Sequence, residues 1–321
     1  MIEIIKVESK DQEREFVMFP FSLYKGCDYW VPPIISEELE SMDKEKNPVF
    51  ENAEAEFYIA KKDGVTVGRI AAMVNWVEIE EQKKNKLRFG WYDTIDDLEV
   101  SKKLLESVIE FGKKRNLEFV DGPVGFSNMD KAGLLIEGYE ELNTMITWYH
   151  YPYQKEHLKK LGFSKLAEWV EYKIKIFSAE DAPEKVKKFS KIIQQRYELK
   201  VLNFKSRKEI IPYVDKMFEL LNVTYSNLQT YVTIKQYQID FYKEKFIKYI
   251  HPDFIKCCLD KDGNLIAFLI TMPSFSRALK KINGKMGLMG YFHLFKAQHF
   301  NDRVSLYLIG VDPKYQSKGV T

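Results

Sequence analysis

The chain has 321 residues, and its 49 Lys and Arg residues nearly balance 47 Asp and Glu residues, giving a formal charge of +2 with neutral histidines. Hydrophobic residues make up 45% and charged residues 30%, which is globular usage and excludes a mainly disordered or collagen-like chain. The interleaved charges argue against a nucleic-acid partner, and no apolar stretch reaches the ~20 residues of a membrane-spanning helix.

Three cysteines, Cys27, Cys257 and Cys258, are too few and too unevenly spaced for a disulfide framework or a zinc site. The amino terminus lacks the basic and then apolar layout of a secretory signal. We therefore expect a cytoplasmic protein without a bound metal. A length of about twice the usual ~150 residues per domain predicts two domains.

The amino-terminal half alternates strand and helix signals. Its predicted strands are 2–7, 87–93, 117–120 and 167–177, and its predicted helices are 11–23, 100–115 and 155–161. Between them, Asp63-Gly64 predicts a hairpin over 56–74, because Asp-Gly supplies the positive φ angles of a tight turn. This alternation is typical of an α/β domain.

The second half begins with a helix near Pro183, where a proline in the first turn costs no hydrogen bond. The elements predicted after it are a strand over 199–204, a helix from 206, a helix from 233, a hairpin over 254–271, an insertion over 273–302 and a strand over 304–311. Ser206 and Glu209 have the spacing of a capping box, in which each side chain binds a free backbone N–H at a helix start.

The two hairpins share a spacing that indicates an internal repeat. Asp63-Gly64 is followed three residues later by Val67-Gly68, and Asp262-Gly263 is followed at the same spacing by Ile266-Ala267. The elements before and after the two hairpins also agree in order. We therefore predict two copies of one α/β unit.

The carboxyl-terminal strand runs into a sequence suited to bind an anion. Pro313 sets a turn after the strand, and Gly319 lies in a loop where a helix is expected to begin. Backbone N–H groups of such a loop point outward, and the positive end of a following helix attracts phosphate. Lys314 and Lys318 add positive charge, so this sequence predicts a cradle for a pyrophosphate.

The same residues resemble the GNAT acyltransferase superfamily, whose acyl-coenzyme A signature is Val-x-Pro at a strand end followed by Gln/Arg-x-x-Gly-x-Gly/Ala. The match is Val311-Asp312-Pro313 and then 316–321, with Thr321 in place of the final Gly or Ala. The resemblance implies binding of acetyl-CoA or another acyl-CoA as co-substrate. The implied binding residues are Gly310, Val311, Gln316, Ser317, Lys318, Gly319, Val320 and Thr321.

The resemblance also implies an α/β (α+β) fold of two tandem GNAT-like mixed-sheet domains. The expected divisions are a first domain over 1–178, a linker helix over 179–197 and a second domain over 198–321. The second is expected to be incomplete, because a GNAT domain continues after this loop. The first is expected to be degenerate, since its counterpart loop over 93–99 carries four carboxylates that repel phosphate.

The implied activity is transfer of an acyl group, acetyl in the simplest case, to an amine on a small molecule or peptide. Tyr307 is a candidate general acid, and His293 and Asp312 are candidate bases, although packing explains each of them as well. Two alternatives stay open: a non-catalytic binding or scaffold protein that kept the fold, and an aminoacyl or fatty-acyl transferase. The sequence leaves the oligomeric state undecided.

Two further patterns have both a functional and a packing interpretation. The aromatic run 148–153 suits an acceptor cleft, since tyrosines combine apolar faces with hydroxyl tips, and it equally suits a helix entry packed on the sheet. Cys257-Cys258 lies in a strand-like run, which predicts one inward thiol acting as a small hydrophobe.

Overall fold

The computed structural model describes residues 1–320, except 128, 177, 179 and 247–250. The chain folds into two compact units. Unit 1 comprises Met1–Glu168 with Ser274–Asn301, and unit 2 comprises Trp169–Pro273 with Asp302–Thr321. The predicted α/β organisation in two parts is confirmed, and no helix in the described ranges is both long and apolar enough to cross a membrane.

The regular elements follow the predicted order closely. The strands are β1 (Ile2–Lys6), β2 (Ala53–Lys62), β3 (Val65–Asn75), β4 (Lys86–Thr94), β5 (Phe119–Asp121), β6 (Lys200–Asn203), β7 (Ile255–Leu259), β8 (Leu265–Pro273) and β9 (Val304–Val311). The helices are α1 (Lys10–Leu23), α2 (Ile35–Met42), α3 (Trp76–Glu80), α4 (Leu98–Lys113), α5 (Pro152–Lys160), α6 (Glu184–Arg196), α7 (Arg207–Tyr225), α8 (Gln236–Phe246), α9 (Ser276–Ile282), α10 (Leu288–His299) and α11 (Pro313–Gln316).

Unit 1 is built on a mixed sheet in the order β1-β2-β3-β4-β5, in which only β4 and β5 run parallel. One face is covered by α4, whose Val100, Leu104 and Val108 are fully buried. The other face is covered by α1 through Phe16 and Val17. Covering both faces excludes water from β4 along its whole length, so the charged groups on this strand need internal partners.

Helices α9 and α10 come from the predicted insertion, yet they pack on unit 1. Leu279 and Ile282 of α9 are buried against Val31 and Ile34, and the backbone N–H of Ile35 donates to the carbonyl of Gly284 at 3.0 Å. The predicted boundaries had assigned this segment to the second domain. Its apolar residues instead pack against the loop before α2. No local sequence pattern indicates this long-range contact.

Unit 2 has a sheet in the order β6-β7-β8-β9, and its four strands are all antiparallel. Helix α7 packs on this sheet with Ile210, Val214 and Leu221 buried. Within the described part of the chain β9 is an edge strand, paired only with β8. The order of a strand, two helices, a hairpin and a further strand repeats that of unit 1 up to β4.

Three local predictions are corrected by the structure. The predicted strand 167–177 does not form over its described residues, because no neighbouring strand pairs with it; Tyr172 and Ile176 are exposed, and residue 177 lies outside the described ranges. The predicted capping box at α7 is replaced by a bond from the Lys205 N–H to the Glu209 carboxylate at 2.9 Å. The helix expected from Thr233 begins at Gln236.

The repeat predicted from the two hairpins extends to the register of the strands. Val67 in β3 and Ile266 in β8 are each an extra residue without a cross-strand partner, which makes each a β-bulge. The Val67 carbonyl accepts from the N–H of Ile95 at 3.0 Å, and the Ile266 carbonyl accepts from the N–H of Asp312 at 2.8 Å. The ends of β4 and β9 are therefore equivalent positions.

Candidate functional site

The first of the predicted binding residues lie at the end of β9. Gly310 pairs with Phe268 across the sheet, and a Cβ there would lie 2.5 Å from the Phe268 ring, so a larger residue does not fit without a shift. Val311 is buried. Asp312 then caps the single turn of α11, where its Oδ1 accepts from the Lys314 N–H at 2.8 Å. One oxygen of this carboxylate is therefore occupied by the helix cap.

The loop after α11 is partly folded inward. The backbone N–H groups of Ser317 and Lys318 both donate to the Tyr315 carbonyl, and the Gln316 side chain donates to the Val311 carbonyl at 3.0 Å. The amides of Ser317 and Lys318 therefore do not face a diphosphate here, which corrects the expectation that the whole loop fans outward. The rest of the predicted grip stays a prediction, and Thr321 lies outside the described residues.

The loop is anchored on unit 2 by contacts with α6. Gly319 has φ +74°, a left-handed conformation that favours glycine, and a Cβ there would lie 2.7 Å from Ile193. The Lys318 ammonium lies over the rings of Tyr197 and Tyr315, at 5.4 and 4.7 Å from their centroids. Val320 is half-buried beside this anchor. The Lys318 side chain is exposed on the loop.

The three candidate catalytic residues do not all lie in one unit. Tyr307 is the bulged residue of β9, because Leu308 pairs with Ile270 while Leu306 already pairs with Thr271. Asp312 follows the same strand. His293 is half-buried on α10, which belongs to unit 1. Tyr307 and Asp312 remain candidates on one strand end, and His293 is separated from them in the division of the chain.

The cysteine pair agrees with its packing interpretation. Cys257 in β7 is buried, and burial raises the pKa of its thiol to about 12, so it stays protonated and unreactive at neutral pH. Burial also raises the pKa of Cys258. Across the residues that the structure describes, no three His, Cys, Asp or Glu side chains are grouped to hold a metal ion.

The counterpart loop of unit 1 is closed to an anion by its own carboxylates. Asp97 caps α4 by accepting from the Glu99 N–H at 3.0 Å, and the bond from Lys62 to Asp97 holds the pKa of that carboxyl below its usual range. Asp96 lies 3.2 Å from Nε2 of His157. The start of α4 therefore carries negative charge where a phosphate would have to bind.

Asp93 in β4 occupies the position equivalent to Gly310 in β9. It pairs across the sheet with Arg69, and its Oδ2 accepts from Arg69 Nε at 2.8 Å. The hydroxyl of Tyr24 donates to the other carboxylate oxygen at 2.6 Å. Burial, followed by the Asp93 charge, raises the pKa of Tyr24 well above its ordinary value, so the phenol stays a donor. A buried ion pair thus fills the strand end that is bare in unit 2.

This ion pair lines a small pocket in unit 1, with a cavity volume of about 20 Å³. Its walls include Tyr24, Trp30, Glu38, Lys131, Trp148 and Tyr149. The aromatic run 148–153 therefore contributes to a cleft as well as to packing. Glu38 and Lys131 were missed from the sequence, because single charged residues in separate loops form no motif.

Lys131 differs from Arg69 and Asp93, the ion pair of this pocket, in how its charge is satisfied. No described residue forms a hydrogen bond or an ion pair with its ammonium, and burial lowers the pKa of the group although Glu38 opposes the shift. Nearby, His150 is buried and its Nδ1 accepts from the Leu135 N–H at 3.2 Å. Burial lowers the pKa of His150 to about 4, so this ring is neutral at physiological pH.

No protein-family model matches the chain. Protein YghO of Escherichia coli is 25% identical over 290 residues, 89% of this chain and 72% of that protein. A bacterial ceramide synthase of Caulobacter vibrioides is 21% identical over 325 residues, 98% of this chain and 82% of that protein. The solved tandem GNAT protein of the clavulanic acid biosynthesis pathway is 10% identical, with TM-score 0.41, over 84% of this chain and 74% of that one.

Other solved proteins similar to this chain include GNAT acetyltransferases. The likeness concerns the fold, and at such identities it transfers neither a substrate nor a site residue.

Proposed function

We propose that the protein is an acyl-CoA-dependent N-acyltransferase and that unit 2 binds the acyl-CoA. The observation that supports this most is the end of β9. An edge strand, unpaired on its outer side among the described strands, runs past Gly310 and Val311 into the motif loop. Edge strands offer free N–H and C=O groups that pair with an extended amide chain, and the pantetheine arm of coenzyme A is such a chain.

In the proposed reaction the amine nitrogen attacks the thioester carbonyl, so that a C–N bond forms and the C–S bond breaks. Backbone N–H groups near Val311 stabilise the developing oxyanion. Asp312 takes the proton from the amine, and Tyr307 returns a proton to the departing thiolate. The proposal keeps a grip on the diphosphate by the part of 316–321 that is not folded inward, without the amides of Ser317 and Lys318, and Lys314 and Lys318 supply positive charge through their side chains.

Acetyl is the simplest acyl group, and the fatty-acyl alternative has a specific reason in its favour. The relative named as a bacterial ceramide synthase aligns with 98% of this chain. Ceramides are by chemical definition amides of fatty acids. The acceptor proposed for this chain remains an amine, and a long-chain acyl donor belongs in the test beside the acetyl donor.

Lys318→Glu tests the proposal. We expect acetyl-CoA or palmitoyl-CoA binding to weaken about tenfold, or ~1.4 kcal/mol, because an attraction for the diphosphate becomes a repulsion. Isothermal titration calorimetry measures this. Lys216→Glu makes the same charge change on the exposed side of α7 and is the matched control, expected to leave binding unchanged. If neither acyl-CoA binds at millimolar concentration, the proposal is wrong.

The second candidate is a non-catalytic binding protein, and the pocket of unit 1 favours it. Lys131 and Glu38 line a cavity beside Trp30 and Trp148, and the Lys131 ammonium has no described partner. The positive charge of Lys131 attracts an anionic group, such as a carboxylate at one end of a small ligand. A chain that binds no acyl-CoA but binds a small carboxylate in a Lys131-dependent way would establish this candidate.

A further inference from the structure

Helix α10 presents an apolar stripe to solvent. Leu288, Tyr291, Phe292 and Phe295 are 90%, 64%, 56% and 56% exposed. Their spacing of three and four residues places them on one side of the helix, which we call the outer face. A contiguous apolar face of this kind marks an interaction site rather than ordinary surface.

The opposite side of α10 already accounts for its packing on unit 1. Gly290 is buried and approaches Met286, while Leu294 packs in the cluster that joins α9 to Val31 and Ile34. The inner side therefore fixes the helix, and the outer face adds nothing to this core. Its aromatic residues need a separate explanation.

The charge around the outer face is one-sided. Residues 274–301 contain five basic residues and neither Asp nor Glu; the five are Arg277, Lys280, Lys281, Lys285 and Lys296. The rest of the chain holds the other 44 of the 49 basic residues against all 47 acidic ones, so the positive excess of the molecule is concentrated here. Lys280 pairs with Asp28, whereas Lys281, Lys285 and Lys296 are exposed and have no described ion-pair partner.

We propose that α9 and α10 dock unit 1 on an anionic lipid surface. Exposed aromatic and aliphatic side chains on a helix insert at the boundary between head groups and acyl chains, and neighbouring lysines bind the negative surface. Both features occur together on this segment. The proposal concerns unit 1 alone and is independent of the proposed acyl transfer.

The test is co-sedimentation of the whole protein, without acyl-CoA, with vesicles of phosphatidylcholine that contain roughly a quarter phosphatidylglycerol. We expect Phe292→Asp to weaken binding at least tenfold, and Lys281→Glu with Lys285→Glu to remove the preference for anionic vesicles. Val65→Asp, at a residue 66% exposed at the start of β3, and Lys113→Glu with Lys114→Glu are the matched controls, expected to bind as the unchanged protein does.

The outcomes separate the possible occupants of the outer face. Equal binding to neutral and anionic vesicles, or no binding to either, overturns the proposal. A stable dimer that Phe292→Asp converts to a monomer also overturns it, since the face would then bind a second copy of this chain. Thermal unfolding of each variant verifies that it is folded.

Discussion

Asp93 and Gly310 occupy equivalent strand ends, but Asp93 adds a charged side chain there and Gly310 adds none. Gly310 leaves the backbone of β9 bare, whereas Asp93 fills the same place in β4 with a carboxylate bound by Arg69 and Tyr24. A buried pair of this kind is retained only when both charges are satisfied, as they are here. The difference explains why acyl-CoA binding is proposed for unit 2, and why unit 1 has a polar pocket instead.

His150→Asn gives a prediction for the dependence of stability on pH. The folded pKa of His150 is about 4, below the ordinary 6.5, so between these values the unfolded state binds a proton that the folded state does not. Stability is therefore lost as the pH falls from about 6.5 to about 4, by roughly 3 kcal/mol from this residue. The His150→Asn variant keeps a side-chain acceptor for the Leu135 N–H. We expect its free energy of unfolding to fall by roughly 3 kcal/mol less than that of the unchanged protein over this pH range.

Urea unfolding at pH 7, 5.5 and 4 measures the effect. His299→Asn, at an exposed histidine of α10, is the control and is expected to follow the unchanged protein. Identical losses for the His150 variant and the unchanged protein would show that this ring titrates normally.

The pocket residues show where local sequence patterns stop being informative. Glu38, Arg69, Asp93 and Lys131 come from four separate parts of the chain, and their proximity depends on long-range packing. The aromatic run near Trp148 was visible because its members are adjacent in sequence. Prediction of a site from spacing succeeds only when the site is built from neighbours in the chain.

At the scale of elements, the hairpins were predictable and the segment 167–177 was not. Asp63-Gly64 and Asp262-Gly263 define their turns by local backbone preference, and the bulges at Val67 and Ile266 follow at the same distance. The alternation in 167–177 also has the period of a strand, but a strand requires a partner to bind its backbone. That partner cannot be read from the segment itself.

Gly310→Ala tests the close approach of β8 and β9. The added Cβ would lie 2.5 Å from Cε1 of Phe268, so the ring or the strand has to move. We expect a loss of about 1–3 kcal/mol in the free energy of unfolding, as for other overpacked sites. Chemical denaturation followed by circular dichroism measures it.

Gly287→Ala is the control for this substitution, because nothing lies within 4 Å of the Cβ that it adds. We expect little change there. Equal stability of the two variants would mean that Phe268 gives way without cost.

At the scale of the whole molecule, the segment Ser274–Asn301 ties the second half of the sequence to unit 1. Residues 169–176 have no regular structure and expose Lys173 and Lys175 to trypsin. We expect a chain nicked there to run as two fragments under denaturing conditions, yet to elute as one species in gel filtration. The carboxyl-terminal fragment carries α9, whose Leu279 and Ile282 are buried in unit 1.

The control for this prediction is Leu279→Asp with Ile282→Asp, which places charges in that cluster and should let the fragments separate. Separate elution of the fragments from the unchanged protein would contradict the assignment of α9 and α10 to unit 1.

The insertion between β8 and β9 also sets an order of events during biosynthesis. The first 168 residues leave the ribosome with the surface around Val31 and Ile34 uncovered, and its cover is encoded only at 274–301. Unit 1 cannot complete its fold as soon as its main body has been translated, although domains generally fold from the amino terminus onward. A nascent chain stalled between these points exposes an apolar surface and is a natural client for a chaperone.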